Sequence, residues 1–272
     1  MNRLPNIQNC SIAIIGLGYV GLPLSVEFAK CTHSQKDQTP LDRRIIGFDI
    51  NEKRIKELRE GLDKTNEITQ QEILSLKNII FTSDESEISN ANIFIVTVPT
   101  PINEARSPDL TILKEACQTI GKAIRSRLDN KTDNSSHSIP LIIFESTVYP
   151  GATEEVCIPI LEKESSLKLN QDFSCGYSPE RINPGDKTYG LTKIKKLTSG
   201  SNEKVAIWID DFYSSIIEAG TFKTSSIKIA EAAKVIENSQ RDLNIAFVNE
   251  LSIIFDKMNL DIDKILKAAG SK

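Results

Sequence analysis

Short stretches of this 272-residue chain carry residue types at spacings that do chemistry. Gly16-Leu17-Gly18-Tyr19-Val20-Gly21 follows the apolar run 12–15 directly and opens a helix-like segment over 22–30. In such a turn the first glycine permits a tight reversal and the second lets backbone approach a pyrophosphate. The third lets helix and strand pack closely, with the helix N-terminus facing the phosphates. The order strand, glycines, helix separates this signal from a glycine-rich turn without a ligand. The next apolar run, Ile45-Ile46-Gly47-Phe48, ends at Asp49. A carboxylate there accepts hydrogen bonds from an adenosine ribose and repels a 2′-phosphate, so NAD is expected over NADP. Asp49 stands 28 residues past Gly21 rather than the usual ~20, and the polar stretch 32–42 takes up the excess.

Four further residues bear groups that could take part in chemistry. Lys234 and Asn238 stand at i and i+4 in a long helical pattern, so their side chains share a face and can converge on one oxygen. A cation beside an amide suits an alkoxide or tetrahedral oxyanion, although such a pair, taken alone, is more often a solvated helix face. Glu180 follows an apolar run and a Ser-Pro turn, and Thr147 follows the run 141–144. Both therefore fall at the carboxyl ends of strands, where open α/β sheets bind ligands. The plain alternatives are a solvent-facing turn carboxylate and a β-branched strand end.

The elements that must position these residues alternate. Short apolar runs at 11–15, 44–48, 79–81, 92–98, 141–144 and 173–177 are separated by helix-like segments, the pattern of βαβ units. Continuously apolar runs such as Ile93-Phe94-Ile95-Val96 fit strands covered on both faces. The expected fold is α/β, a doubly wound parallel sheet. From 226 to 258 the pattern becomes one helix of ~50 Å at 1.5 Å per residue, which leaves the first domain and begins a second, helical one. Stretches 32–42 and 129–138 read as polar surface insertions.

Composition excludes several function classes. With 39% hydrophobic and 26% charged residues the chain builds a core. The net charge of −4 and the lack of a Lys/Arg stripe argue against nucleic acid. No basic leader or ~20-residue apolar run signals export or a membrane span, so a cytoplasmic protein is expected. Cys10, Cys31, Cys117, Cys157 and Cys175 form no CxxC pair and no metal-ligand spacing, which suits reduced thiols and no metal site. His33 and His137 lie in polar loops and receive no role.

These residues resemble the UDP-glucose/GDP-mannose dehydrogenase family over nearly the whole chain. The resemblance rests on Ile14 to Pro23, on Gly47-Phe48-Asp49-Ile50-Asn51 and on Val96-Thr97-Val98-Pro99-Thr100-Pro101. It also rests on Glu145-Ser146-Thr147-Val148-Tyr149-Pro150-Gly151, Tyr177-Ser178-Pro179-Glu180-Arg181 and Glu231-Ala232-Ala233-Lys234-Val235-Ile236-Glu237-Asn238. Within the family, Ser178 to Asp186 and Gly61-Leu62-Asp63-Lys64-Thr65 are similar to the branch that oxidises UDP-N-acetylhexosamines, and the epimer is left open.

The resemblance implies a Rossmann-type NAD-binding domain at 1–222, then at 223–272 a connecting helix and the start of a central dimerisation domain, with the C-terminal UDP-binding domain absent. It implies oxidation of a UDP-sugar at C6, from alcohol to aldehyde to acid through a cysteine thioester, in surface polysaccharide precursor synthesis. Glu180 would handle a proton or water during thioester hydrolysis, Thr147 would bind a catalytic water and border the nicotinamide, and Lys234 with Asn238 would stabilise the oxyanion. Gly16, Gly18, Gly21, Tyr19, Val20, Asp49, Arg54, Pro99, Thr100 and Thr147 would contact NAD. The family's nucleophile lies in a Gly-Gly-His-Cys stretch that these residues lack. The expectation is a truncated chain, inactive alone, whose parent is a homodimer or higher oligomer. A UDP-glucose 6-dehydrogenase, a β-hydroxyacid dehydrogenase and a non-catalytic NAD-binding remnant are the competing readings.

Overall fold

A computed structural model describes residues 3–129, 138–182 and 190–271. The chain divides into two compact units, residues 1–232 and 233–272.

The first unit runs β1 (Asn9–Ile15), α1 (Gly21–Lys30), β2 (Asp42–Phe48), α2 (Glu52–Arg59), α3 (Gln70–Ser75), β3 (Ile79–Thr82), α4 (Glu85–Ile88), β4 (Ile93–Val96), α5 (Thr111–Asp129) and β5 (Leu141–Phe144). A π-helical turn (Thr153–Cys157) leads into α6 (Ile158–Ser165), then β6 (Ser174–Tyr177), β7 (Lys196–Gly200), α7 (Glu203–Ser214) and β8 (Thr221–Lys223). The strands form one sheet in the order β3-β2-β1-β4-β5-β6-β7-β8. The first six are parallel, β7 is antiparallel to β6, and β8 runs parallel to β7.

Side chains alternate between two cores because the strand period is two. Ile12, Ile14, Ile45, Ile93, Ile95, Leu141 and Ile143 face one way, against Phe28 of α1 and Trp208, Phe212 and Tyr213 of α7. Ala13, Ile15, Ile46, Phe48, Phe94, Val96, Ile142 and Phe144 face the other, against α5 and α6. Covering both faces produces the continuous apolar runs, as expected of a doubly wound sheet.

The register does the positioning. Phe48, Ile15, Val96, Phe144 and Tyr177 pair across β2, β1, β4, β5 and β6 in one row. The next residue on each strand is Asp49, Gly16, Thr97, Glu145 or Ser178. Each of these five donates its backbone N–H to a neighbouring strand, Gly16 to Phe48 O at 2.8 Å and Glu145 to Val96 O at 2.8 Å, for example. Every loop with a candidate site residue in this unit therefore starts at one level, and between β1 and β4 the strand order reverses, the position where such sheets bind ligands.

All six expected strands form, with ends shifted by up to two residues. The sequence does not announce β7 and β8, which are short and polar and border the parallel set. The long helix is α8 (Ile227–Lys257), followed by α9 (Ile262–Ala269). The boundary between the two units falls within α8. Among the described residues no helix is long and apolar enough to cross a membrane. Most of stretch 129–138, including His137, lies outside the described residues.

Candidate active site

Gly16 adopts φ +94°, which a side chain would strain, and the turn it starts brings Leu22 N to Gly18 O at 3.1 Å. A Cβ on Gly21 would collide with Gly16 O and Thr97 Oγ1, so strand, turn and helix meet there without room for a methyl group. A Cβ on Gly18, by contrast, would have no atom within 4 Å. The backbone at Gly18 faces open space while Gly16 and Gly21 are closely packed, which is what a pyrophosphate approaching the turn requires. The first turn of α1 contains no acidic residue, and Val20 caps it without a side-chain bond. Its positive end therefore stays available to an anion. Tyr19 is half exposed beside it.

Asp49 Oδ2 accepts from Leu17 N at 2.8 Å and Oδ1 from Asn51 N at 2.9 Å. An ionised carboxylate has about four acceptor positions, so two remain for ribose hydroxyls. Arg54 Nε donates to Leu17 O at 3.0 Å and Nη2 to Asp63 Oδ1 at 2.8 Å, while Nη1 is buried without a partner. The guanidinium thus lies against the turn and is held mainly by protein. The open backbone at Gly18, the uncapped helix end, the spare capacity of Asp49 and the unpartnered Arg54 nitrogen all fit a dinucleotide.

Loops from the central strands are tied to one another. Thr97 Oγ1 donates toward Gly16 O (2.7 Å) and Ile15 O (3.1 Å), Ser146 Oγ to Val98 O (2.6 Å) and Thr100 Oγ1 to Thr147 O (2.5 Å). Pro99 and the Thr147 side chain are exposed at this rim. Thr100 and Thr147, two separate sequence expectations, are brought together.

Past the row on β6 is a buried charged cluster. Glu180 Oε1 accepts from Arg181 N (2.5 Å) and Ile182 N (2.7 Å), while Lys196 Nζ donates to Glu180 Oε2 (3.2 Å) and to Glu145 Oε2 (2.6 Å). Tyr213 donates its hydroxyl to Glu145 Oε1. Burial pushes the Glu145 carboxyl up, and nearby Glu180 adds to this against the attraction of Lys196. Burial alone would lower Lys196, but the two carboxylates outweigh it and raise it, so the ammonium stays charged. The Tyr213 hydroxyl is pushed far up by burial and by Glu145. A carboxylate anchored at both oxygens at a strand's end can orient a water or accept its proton. Lys196, Glu145 and Tyr213 are the members that sequence reasoning missed. The available signal was Glu145 itself, a charge directly after four apolar residues.

Glu231, fully buried on the first turns of α8, accepts from Gly151 N (2.5 Å) and Thr153 N (3.0 Å). It locks the loop after β5 to the start of the helix and was also missed. Lys234 and Asn238 lie further along α8, in the second unit, four residues apart on one face. Residues 183–186 of the branch-related stretch lie outside the described residues.

None of the five thiols lies at the strand-end level. Cys10 starts β1, Cys175 is inside β6, Cys117 and Cys157 belong to helical segments, and Cys31 follows α1. Burial raises Cys10 to about 11, against the pull of Arg43, and raises Cys175 as well, while the hydrogen bond with Cys157 and then burial raise Cys117, all of which disfavours thiolate. Among the described residues no group of His, Cys, Asp or Glu could hold a metal.

Known proteins share this fold and much of this sequence. Residues 10–217 match the NAD binding domain of the UDP-glucose/GDP-mannose dehydrogenase family, and residues 228–272 match its central domain. A UDP-N-acetyl-D-glucosamine 6-dehydrogenase of Salmonella typhi is 53% identical over 98% of the chain, and Protein CapL of Staphylococcus aureus is 48% identical over 97%. The chain spans 57% of the length of each. A solved UDP-D-ManNAc dehydrogenase from Pyrococcus horikoshii superposes with a TM-score of 0.80 at 29% identity, covering 96% of this chain and 57% of that one.

Proposed function

The chain belongs to the UDP-glucose/GDP-mannose dehydrogenase family, and from that premise we propose that it is the nucleotide-binding part of an NAD-dependent 6-dehydrogenase acting on UDP-N-acetylhexosamines. The carrying observation is the single row of strand ends from which the loops carrying the glycine turn, Asp49, Thr100, Thr147 and Glu180 all start. The 53% identity to a UDP-N-acetyl-D-glucosamine 6-dehydrogenase favours the N-acetylhexosamine over glucose.

Taking a primary alcohol at C6 to an acid removes four electrons in two steps, and NAD, when bound, would supply the hydride acceptor for each. The protein's tasks are to hold, orient and move protons. Gly16, Gly18 and Gly21 with Tyr19 and Val20 would hold the pyrophosphate and Asp49 the ribose, Arg54 braces the turn, and Pro99 and Thr100 would line the nicotinamide side. Thr147 orients a water. Glu180, fixed by two backbone N–H groups and Lys196, takes that water's proton during acyl hydrolysis. Lys234 and Asn238 stabilise negative charge on the C6 oxygen. The five cysteines have no part in this scheme, and the acyl-carrying thiol is assigned to none of them.

The chain divides functionally into an NAD-binding domain at 1–222 and the beginning of a helical domain at 223–272. The complete enzyme works in the cytoplasm as a homodimer or larger assembly, making a polysaccharide precursor.

The test is a chimera in which residues 1–272 replace the matching part of the Salmonella typhi relative. It should form two NADH per UDP-N-acetylhexosamine, with the uronic acid seen by mass spectrometry. A folded, NAD-binding chimera that oxidises UDP-glucose alone, or no UDP-sugar, overturns the reading.

A further inference from the structure

The loop between α2 and α3 carries the Gly61-Leu62-Asp63-Lys64-Thr65 stretch, which the family resemblance connects with choice of sugar. Its structure gives it another task. The Asp63 side chain is fully buried, although aspartate is rarely so without partners. Oδ1 accepts from Arg54 Nη2 (2.8 Å), Thr65 N (3.0 Å) and Thr65 Oγ1 (2.7 Å), and Oδ2 accepts from Thr65 Oγ1 (2.9 Å), Glu67 N (3.0 Å) and Ile68 N (3.1 Å). Burial alone would raise this carboxyl, but the bonds from Thr65 and Arg54 outweigh it and hold it below its ordinary value.

All but one of those bonds knot the loop to itself. The exception leaves it. Arg54 reaches back with Nε to Leu17 O (3.0 Å), in the middle of the glycine turn, while the N–H of the same residue is held by Asp49 (2.8 Å). Leu17 is thereby gripped through both its backbone polar groups. One grip comes from Asp49, the residue just past β2, and the other from an arginine whose far nitrogen is fixed by Asp63. An arginine side chain has many rotamers, and a second anchor removes that freedom before a ligand arrives. Arg54 itself is only 11% exposed.

We infer that Asp63 is a positioning residue for the dinucleotide turn, acting through Arg54 to fix the Leu17 carbonyl so that the turn's amides are pre-set for a pyrophosphate. The inference rests on the reading of residues 16–21 as the NAD turn. It moves the 61–65 stretch from the sugar to the cofactor.

NAD binding to the 272-residue chain, measured by calorimetry with melting temperature as a check on folding, tests it in a double-mutant cycle. Asp63→Asn and Arg54→Gln should each weaken NAD by about tenfold, and the double variant should bind no more weakly than Arg54→Gln, since neighbours acting through one bond are not additive. If Asp63 served only its own loop, the two losses would multiply. Asp63→Asn binding NAD as wild type does, or full multiplication of the losses, overturns the inference. Should Asp63→Asn not fold, Arg54→Lys, which keeps a cation beside Asp63 and loses the fork, should show the same tenfold loss, and unchanged affinity there is equally fatal. Wild-type protein that binds no NAD would instead refute the cofactor reading.

Discussion

Lys196 Nζ lies 2.6 Å from Glu145 Oε2, and neither side chain is more than 3% exposed. Removing one partner of a buried pair strands the other charge, at a cost of about 3–5 kcal/mol. Lys196→Met should therefore lower the unfolding free energy by that amount in urea titrations, and Lys196→Met with Glu145→Gln should recover part of it. A loss under about 1 kcal/mol, the level of an exposed pair, would show that the cluster is solvated.

Glu145 also gives a pH signature. Its folded value is raised above the ordinary 4.5, so between the unfolded and folded values the native state binds more protons, and stability falls as pH rises through that window. Glu145→Gln removes this titration. Unfolding measured from about pH 4.5 upward should decline less steeply in the variant, and an unchanged slope would contradict the raised value.

Gly18 and Gly21 should separate ligand binding from folding. Gly18→Ala adds a methyl group to open space, so stability should stay within about 0.5 kcal/mol while NAD affinity falls. Gly21→Ala collides with Gly16 O and Thr97 Oγ1 and should lower the melting temperature as well. Equal thermal loss in both would refute the distinction.

Asp49 binds Leu17 N and is the proposed partner of the ribose. Asp49→Asn keeps an acceptor and removes the charge, so NADP binding should improve relative to NAD. Wild-type protein that binds both dinucleotides equally in calorimetry would rule out the carboxylate as the selector.

Lys234→Ala in the chimera should reduce kcat by ~10²–10³, the usual cost of one preorganised oxyanion donor, with NAD affinity unchanged. A fall of less than about tenfold would remove Lys234 from the catalytic scheme.

What could be read in the sequence was whatever repeats locally. The apolar runs, the glycine turn and the long helix each declare themselves within a few residues. The partnerships of the site span 51 residues between Lys196 and Glu145 and 80 between Glu231 and Gly151, and no periodicity encodes them. Lys196-Leu197-Thr198-Ser199-Gly200 reads as a polar loop, because a lysine gives no local sign that two carboxylates will bury it. The resemblance proposes Arg54 as a cofactor neighbour, but its hold on Leu17 and Asp63 appears only when α2, the turn and the 61–68 loop are folded together.

Because the site begins one residue past a row at the carboxyl ends of the strands, the connection between α1 and β2 at the other end of β2 is spare ground. Residues 35–38 form an exposed turn there, closed by Ser34 N to Thr39 O and Leu41 N to Thr32 O. A reporter peptide spliced between Asp37 and Gln38 would extend a hairpin whose base is already fastened.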